Sequence, residues 1–333
     1  NETVPLISVS VITYNHEKYI RQCLDGILMQ NVNFPYEVLV HDDASPDGTA
    51  DIIREYEARY PGIIKPIYQT ENQYSQGKAI SKFNWDRARG KYLAFCEGDD
   101  YWTDPGKLQK QVDFLEAHPE YIACVHRVQV IDELENIVQA SIFARYYDTF
   151  DYTLSDAQNI LAGNGCAGHL SSLVCRNVFL TLPEDIYKNF LNCKANGDTK
   201  LSLLLTLNGT IRRFNETMST YRRITSSGTS WSARHAQKNN CLLAYRYLSE
   251  LSHFSQKSYG FVPNYTDYEH KLAATSIYKY VICPNRENKD IMYKLLNATD
   301  DKLSLIKPMI ILVIEYINSA LRRLNEKFYN TFY

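Results

Sequence analysis

Hydrophobic positions in the first third of the chain alternate between two periods. ISVSVIT (Ile7 to Thr13) is a run rich in β-branched residues and predicts a buried strand. Ile20, Cys23, Leu24, Ile27 and Leu28 then recur at helical spacing, with Asn15 expected to cap that helix. YEVLVH (Tyr36 to His41) predicts a second strand. DDASPDGT follows as a turn punctuated by Pro46 and Gly48, and Ile52, Ile53 and Tyr56 mark the next helix. IIKPIY (Ile63 to Tyr68) reads as a third strand weakened by Pro66. Residues from about Lys78 to Arg89 read as a helix stopped by Gly90, and KYLAFC as a fourth strand. Asp104 and Pro105 start another helix, with Leu108, Val112 and Leu115 inward.

This alternation implies βαβ units, an α/β chain with a mostly parallel sheet and helices on both faces. Such sheets bind ligands beyond the carboxyl ends of their strands. Three polar segments fall there: Thr13-Tyr14-Asn15, His41-Asp42-Asp43 and Glu97-Gly98-Asp99-Asp100. They are distant in sequence, yet the topology predicts one shared rim.

From about residue 121 the pattern changes. Strand-like pieces (Tyr121 to Ile131, Leu170 to Arg176, Ile211 to Arg222) mix with loops. One helix runs from Thr199 to Asn208, with Gly209 expected at its C′ position. The last hundred residues read as helices, marked by Leu242, Leu243, Leu248 and Leu251, then by Tyr268, Leu272, Ile277 and Tyr280. The expected division is 1–120, 121–235 and 236–333.

Composition narrows the class. The 333 residues are 45% hydrophobic and 22% charged, which indicates a globular chain with a substantial core. A net charge of -2 without a dense basic block excludes a nucleic-acid partner. The eight cysteines form no CxxC pair and read as reduced thiols of a cytosolic protein. Glycosylation-type triplets at Asn208, Asn215, Asn264 and Asn297 keep a secretory-lumen reading open, because such triplets are also common by chance. No signal peptide is visible, but the chain does not start with Met, so little follows. No apolar run reaches the ~18 residues expected of a spanning helix. Near the C-terminus, Ile306, Ile310, Val313, Ile317 and Leu321 form an apolar stripe beside Lys307, Arg322, Arg323 and Lys327. That stripe suits a membrane surface bearing a lipid-linked acceptor, or a core-packing or homo-oligomer-forming helix.

The rim acids have two readings. Glu97, Asp99 and Asp100 are a solvated turn, or they hold a hard divalent cation that bridges carboxylates to phosphate oxygens. Asp42 and Asp43 form an Asx-type turn, or accept hydrogen bonds from a base or ribose. Asp198 caps the apolar helix after it, or acts as a general base, being ionised near neutrality with a reference pKa of ~3.9. His169 is a packed strand residue or faces an acceptor. His16 and His41 lie near the rim without metal-ligand spacing. GNGCAG (Gly163 to Gly168) matches GxGxxG, but a helical segment precedes it and a strand follows. That order is the reverse of the dinucleotide fingerprint, which excludes NAD binding.

VSVIT-YNHEKYIRQCLDGILMQ, VLVHDDASPDGT and RGKYLAFCEGDDYWTDPGKLQKQVDFL, in that order, resemble the signature of glycosyltransferase family 2 on a GT-A fold. The resemblance runs from about Ile7 to Leu115. It continues more loosely through GHLSSLVCR, GDTKLSLLLTLNGTIRRFNETMSTYR and SSGTSW. It implies an inverting, metal-dependent glycosyltransferase that uses Mn²⁺ or Mg²⁺ and a nucleotide-sugar donor, expected to be UDP-linked. The implied acceptor is a glycan or lipid-linked hydroxyl in bacterial surface polysaccharide assembly, at the cytoplasmic side or peripheral to the inner face of the plasma membrane. By position, Thr13, Tyr14 and Asn15 would line the nucleotide pocket. Asp42 would contact the uracil or its ribose, with Asp43 beside it. Glu97 stands where the family usually has Asp, and its longer side chain would shift the ribose or metal contact. Asp99 would be the main metal and diphosphate ligand, supported by Asp100. Asp198 would be the base of an in-line displacement through an oxocarbenium-like state. Arg222 and Trp231 would close a loop over the diphosphate. Ile224 stands where many relatives carry His, with His235 a nearby substitute. The three segments become a donor half, a half for the acceptor and base, and a helical extension. Two rivals remain. A sugar-phosphate nucleotidyltransferase would want a glycine-rich, basic phosphate loop, which VITYNHEKY lacks. A non-catalytic binding module would tolerate loss of Asp198.

Overall fold

A computed structural model describes residues 3–138, 151–161, 167–225, 239–299, 303–306 and 308–312. Its strands are β1 (Ile7–Thr13), β2 (Tyr36–Asp42), β3 (Ile64–Tyr68), β4 (Tyr92–Glu97), β5 (Tyr101–Trp102), β6 (Tyr121–Ile131), β7 (Asp151–Tyr152), β8 (Val174–Arg176) and β9 (Thr210–Arg222). They form one sheet in the order β3-β2-β1-β4-β8-β6-β9-β5, with β7 on β9. The β3-β2-β1-β4 block is parallel throughout. β8 then runs antiparallel between β4 and β6, while β6 and β9 are parallel. The sheet is therefore α/β as expected, and each antiparallel pairing of these strands involves β8 or β9.

β1 is buried almost throughout, which is why it reads as a continuous apolar run. Its two serines are used internally. Ser8 Oγ donates to Glu37 Oε1 at 2.7 Å and accepts from Gly90 N at 2.9 Å. Pro66 sits in β3 at the sheet edge, where a missing N–H costs least.

Helices α1 (Ile20–Leu28), α2 (Thr49–Arg59) and α4 (Lys107–Ala117) pack with one face of the sheet around Ile20, Leu24, Ile53, Leu108 and Leu115. The short α3 (Lys82–Trp85) belongs to the other face, with α5 (Leu154–Leu161), α6 (Glu184–Asn192), α7 (Gly197–Asn208) and α8 (Cys241–Tyr259). There Trp85, Phe190, Leu201, Leu204 and Phe254 share a core. Helices α9 (Thr266–Ile282) and α10 (Arg286–Ala298) meet α8 in a smaller cluster around Leu272 and Leu295.

Four local expectations need correction. Asn15 does not cap α1: the helix starts at Ile20, and Asn15 adopts a left-handed φ of 60°. The stretch from Lys78 to Arg89 is helical only over Lys82–Trp85. Asn84 is drawn into the sheet there, its Nδ2 lying 2.9–3.1 Å from Ser10 Oγ, Val11 O and Leu39 O. Leu170–Ser172 is a 3₁₀ turn before β8, because the His169 side chain accepts from Ser171 N and Ser172 Oγ donates to His169 O. Gly209 follows α7 in extended backbone, not a left-handed cap, and a Cβ there would lie 3.0 Å from Ile122 Cβ.

Among the described residues no helix is long and apolar enough to cross a membrane. Ile306 and Ile310 are exposed, and the C-terminal stripe beyond Leu312 lies outside the described residues. The seven described cysteines are free thiols, and all but Cys283 are buried.

Candidate active site

Register alone brings the three polar segments together. Thr13 pairs with Asp42, and Ile12 pairs with Glu97, so β1, β2 and β4 end on the same rim. Two further bonds tie the chain just past the strands: Asp43 N donates to Thr13 O at 3.0 Å and Gly98 N to Ile12 O at 2.9 Å.

The turns after β1 and β2 are laced to each other. Asn15 N donates to Ser45 Oγ, His16 N to Thr49 Oγ1 and Glu17 N to Asp47 Oδ2, all at 2.9–3.0 Å. Tyr14 and Asn15 remain half-exposed beside the buried Thr13. Asp42 is buried, accepts from Ser45 Oγ at 2.5 Å, and its carboxyl is raised above the usual range chiefly by desolvation. Asp43 is also buried and accepts from Gln73 N at 2.8 Å and Tyr74 N at 3.0 Å. Both oxygens of Asp43 therefore hold the loop after β3. His41 lies buried between them and Phe83, where desolvation lowers its pKa to about 4.

The third segment is built differently. Carboxylate oxygens of Glu97, Asp99 and Asp100 lie within 4.8 Å of one another. Asp100 is 1% exposed; its Oδ1 accepts from Arg222 N at 2.9 Å, while its Oδ2 has no hydrogen-bond partner. Burial, then the charges of Asp99, Cys96 and Glu97, push the Asp100 carboxyl well above its usual range. Glu97 keeps part of its surface open, yet desolvation and the neighbouring Asp99 and Asp198 raise its carboxyl to about 8. Three acids crowded together around an unpartnered buried oxygen are electrostatically incomplete. A hard divalent cation with oxygen ligands fits that donor set.

Arg222 lies beneath the acids, and two of its guanidinium nitrogens are engaged. Nε donates to Asp99 O at 3.3 Å, and Nη2 to Gln22 Oε1 at 2.8 Å and Glu135 Oε1 at 3.2 Å. It is a buried strut under Asp99, 4.6 Å from the Tyr19 ring centroid. Trp231 and His235 lie outside the described residues. Ile224 is buried. Gly98 makes a close approach to protein rather than offering open space: a Cβ would meet Thr13 Oγ1 at 2.6 Å and His16 Nδ1 at 2.8 Å. Lys107 and Gln111 of α4 brace the site from below. Lys107 Nζ sits 4.0 Å from the Trp102 ring centroid and donates to Gln111 Oε1 at 2.8 Å, and burial lowers its pKa to about 7.

An open concavity of about 770 Å³ lies beside Pro35, Arg89, Lys91 and Arg176. Its cations are already committed, to Glu37, Glu116 and the Leu115 carbonyl. The rim adds a buried carboxylate oxygen without a hydrogen-bond partner, Asp100 Oδ2, beside two further acids.

The matching family model is Glycosyl transferase family 2, over residues 8–178, just over half of the 333-residue chain. The chain belongs to glycosyl transferase family 2. An uncharacterized protein of Mycobacterium tuberculosis is 52% identical over 127 residues, 38% of this chain and 36% of that protein. The Bacillus subtilis protein TuaG, named for teichuronic acid biosynthesis, is 37% identical over 112 residues, 33% of this chain and 42% of its own length. The matched segment thus spans less than half of either relative. In fold the chain is similar to S. aureus TarS 1-349 in complex with UDP-GlcNAc, with a TM-score of 0.60, 16% identity, and coverage of 88% of this chain and 80% of that chain. The sheet and its helical layers are the GT-A architecture.

Asp198 lies beyond the segment matched by the family 2 model. It lies in the first turn of α7, whose N-cap residue is Asn196, so it is not the helix cap. Its carboxylate is exposed beside a narrow recess lined by Gly168, Leu170 and Ser202, and desolvation raises its pKa. Its charge is felt by Glu97 on one side and by Tyr247 of α8 on the other. His169 closes the floor: its ring lies 4.2 Å from Tyr221, and Nδ1 is 2.9 Å from Ser171 Oγ and 3.7 Å from Asp100 Oδ2. Burial lowers its pKa to about 4.

Sequence reasoning set His16 near the rim but missed its approach to Asp99, and it missed Tyr247. Tyr247 had no motif to mark it. His16 stood directly after the TYN segment, which was the available signal.

Proposed function

We propose that this chain is an inverting glycosyltransferase. It moves a sugar from a nucleoside diphosphate sugar, UDP-linked by preference, to a hydroxyl of a glycan or lipid-linked acceptor in bacterial surface polysaccharide assembly. The observation that carries the reading is the acid cluster after β4, where carboxylate oxygens of Glu97, Asp99 and Asp100 lie within 4.8 Å of one another and Asp100 Oδ2 is buried without a hydrogen-bond partner.

On this reading residues 1–120 seat the donor, 121–235 supply the base and the acceptor face, and 236–333 form a helical cover. Thr13, Tyr14, Asn15 and Asp42 bind the nucleoside. Asp43 holds the loop at Gln73 and Tyr74 against it. Asp99 is the main ligand for Mn²⁺ or Mg²⁺, with Asp100 and Glu97 in support. A divalent ion there supplies Lewis acidity toward the departing diphosphate. Arg222 keeps Asp99 in place from below, and Trp231 belongs to the loop that covers the diphosphate. Asp198 accepts the proton of the acceptor hydroxyl as the new bond forms, and its raised pKa makes it a stronger base. Attack opposite the leaving group inverts the anomeric centre.

The test is a donor screen for nucleoside diphosphate release, with Mn²⁺, with Mg²⁺ and with chelator. Turnover with one class of sugar nucleotide is expected; none with any donor would overturn the enzyme reading. Asp198→Asn should lower turnover by roughly 10²–10⁴ while donor affinity stays unchanged. Near-normal turnover would remove Asp198 from the role of base.

A further inference from the structure

His16 is held at the rim from two sides. Asn15, with φ of 60°, turns the chain so that His16 N donates to Thr49 Oγ1 at 2.9 Å. Its Nδ1 lies 3.2 Å from Thr13 Oγ1. The other ring nitrogen, Nε2, is thereby presented to Asp99, 3.8 Å from Oδ2. That gap is too wide for a direct hydrogen bond. It suits two atoms that share an ion: ligands each about 2.0–2.2 Å from one metal stand roughly 3–4 Å apart.

We infer that His16 Nε2 is a nitrogen ligand of the divalent ion, beside Asp99, and that it tilts the site toward Mn²⁺ over Mg²⁺. This rests on the metal reading of the acid cluster given above. The acids are supported independently by the unpartnered, buried Asp100 Oδ2. In the bound arrangement Nδ1–H donates to Thr13 Oγ1, which leaves the Nε2 lone pair free; a second-shell acceptor of this kind is the usual partner of a ligating imidazole. Gly98 is part of the device, because a Cβ there would lie 2.8 Å from Nδ1 and displace the ring. Mg²⁺ takes oxygen ligands and gains little from imidazole, whereas transition ions gain more.

Pulsed electron paramagnetic resonance on the whole chain tests this, with Mn²⁺ added alone, with UDP and with GDP. Wild-type protein should show ¹⁴N modulation that changes to the ¹⁵N pattern when histidine is ¹⁵N-labelled. His16→Asn keeps an amide near Thr13 but lacks Nε2. It should lose the modulation and weaken Mn²⁺ roughly tenfold or more, with a smaller change for Mg²⁺. His16→Gln serves as the second variant if the first unfolds. Mn²⁺ bound by wild type without nitrogen modulation, or modulation that survives in His16→Asn, overturns the His16 assignment and leaves the Asp99 site standing. Absence of Mn²⁺ binding under every condition overturns both.

Discussion

Two acidic doublets look alike in the sequence. Asp42-Asp43 and Asp99-Asp100 each come at or just past the end of a buried parallel strand. The structure uses them in opposite ways. Asp43 gives both oxygens to backbone N–H groups of the loop after β3, and Asp42 is bound to Ser45. Asp100 binds one N–H with one oxygen and leaves the other unpartnered, and Asp99 stands beside His16. A carboxylate satisfied by backbone donors is a structural part. One packed against other carboxylates without donors is poised for a cation. Hydrogen-bond accounting separates the doublets where residue type does not.

Substitution should break this symmetry. The largest contrast is in metal affinity. Asp99→Asn should weaken Mn²⁺ by about a hundredfold or more, beyond the usual effect of losing a supporting group, while the fold is retained. Calorimetric titration checks it, and unchanged Mn²⁺ affinity would refute the ligand assignment. Asp43→Asn should do the reverse. One backbone N–H loses its charged acceptor, which costs about 1–3 kcal/mol of stability, and Mn²⁺ affinity should hold. Denaturant unfolding and the same titration separate the two. Equal loss of metal binding in both variants would erase the distinction.

The smallest effect is in the pH dependence of the metal-free chain. The Glu97 carboxyl is raised from 4.5 to about 8, so its contribution is fully present below pH 4.5 and is lost as pH rises through about 8. His41 and His169 are lowered from 6.5 to about 4, so they cost stability only as pH falls below 6.5. With chelator present, the melting temperature should rise by a few degrees as pH falls from about 8 to 6.5, and then decline. Glu97→Gln should flatten the upper limb. A slope that persists in that variant would assign it to other groups, Asp100 first.

Much of the rim was legible because strands buried on both faces read as short apolar runs, and their ends are punctuated by acids. Where the reading failed, a tertiary contact had overruled local pattern. The helix expected from about Lys78 to Arg89 is cut to Lys82–Trp85, within which Asn84 donates to backbone carbonyls of β1 and β2. Asn15 has the right residue type for a cap, but it serves a left-handed turn instead.

The sequence by itself determined the α/β order, the helices α8 to α10 and the shared rim, since burial period and parallel topology are local properties summed along the chain. Only the tertiary structure decided which acids are satisfied and which are not, and that His16 Nε2 lies 3.8 Å from Asp99 Oδ2. Those outcomes depend on donors and charges supplied by residues 30 to 120 positions away, and no local pattern encodes them.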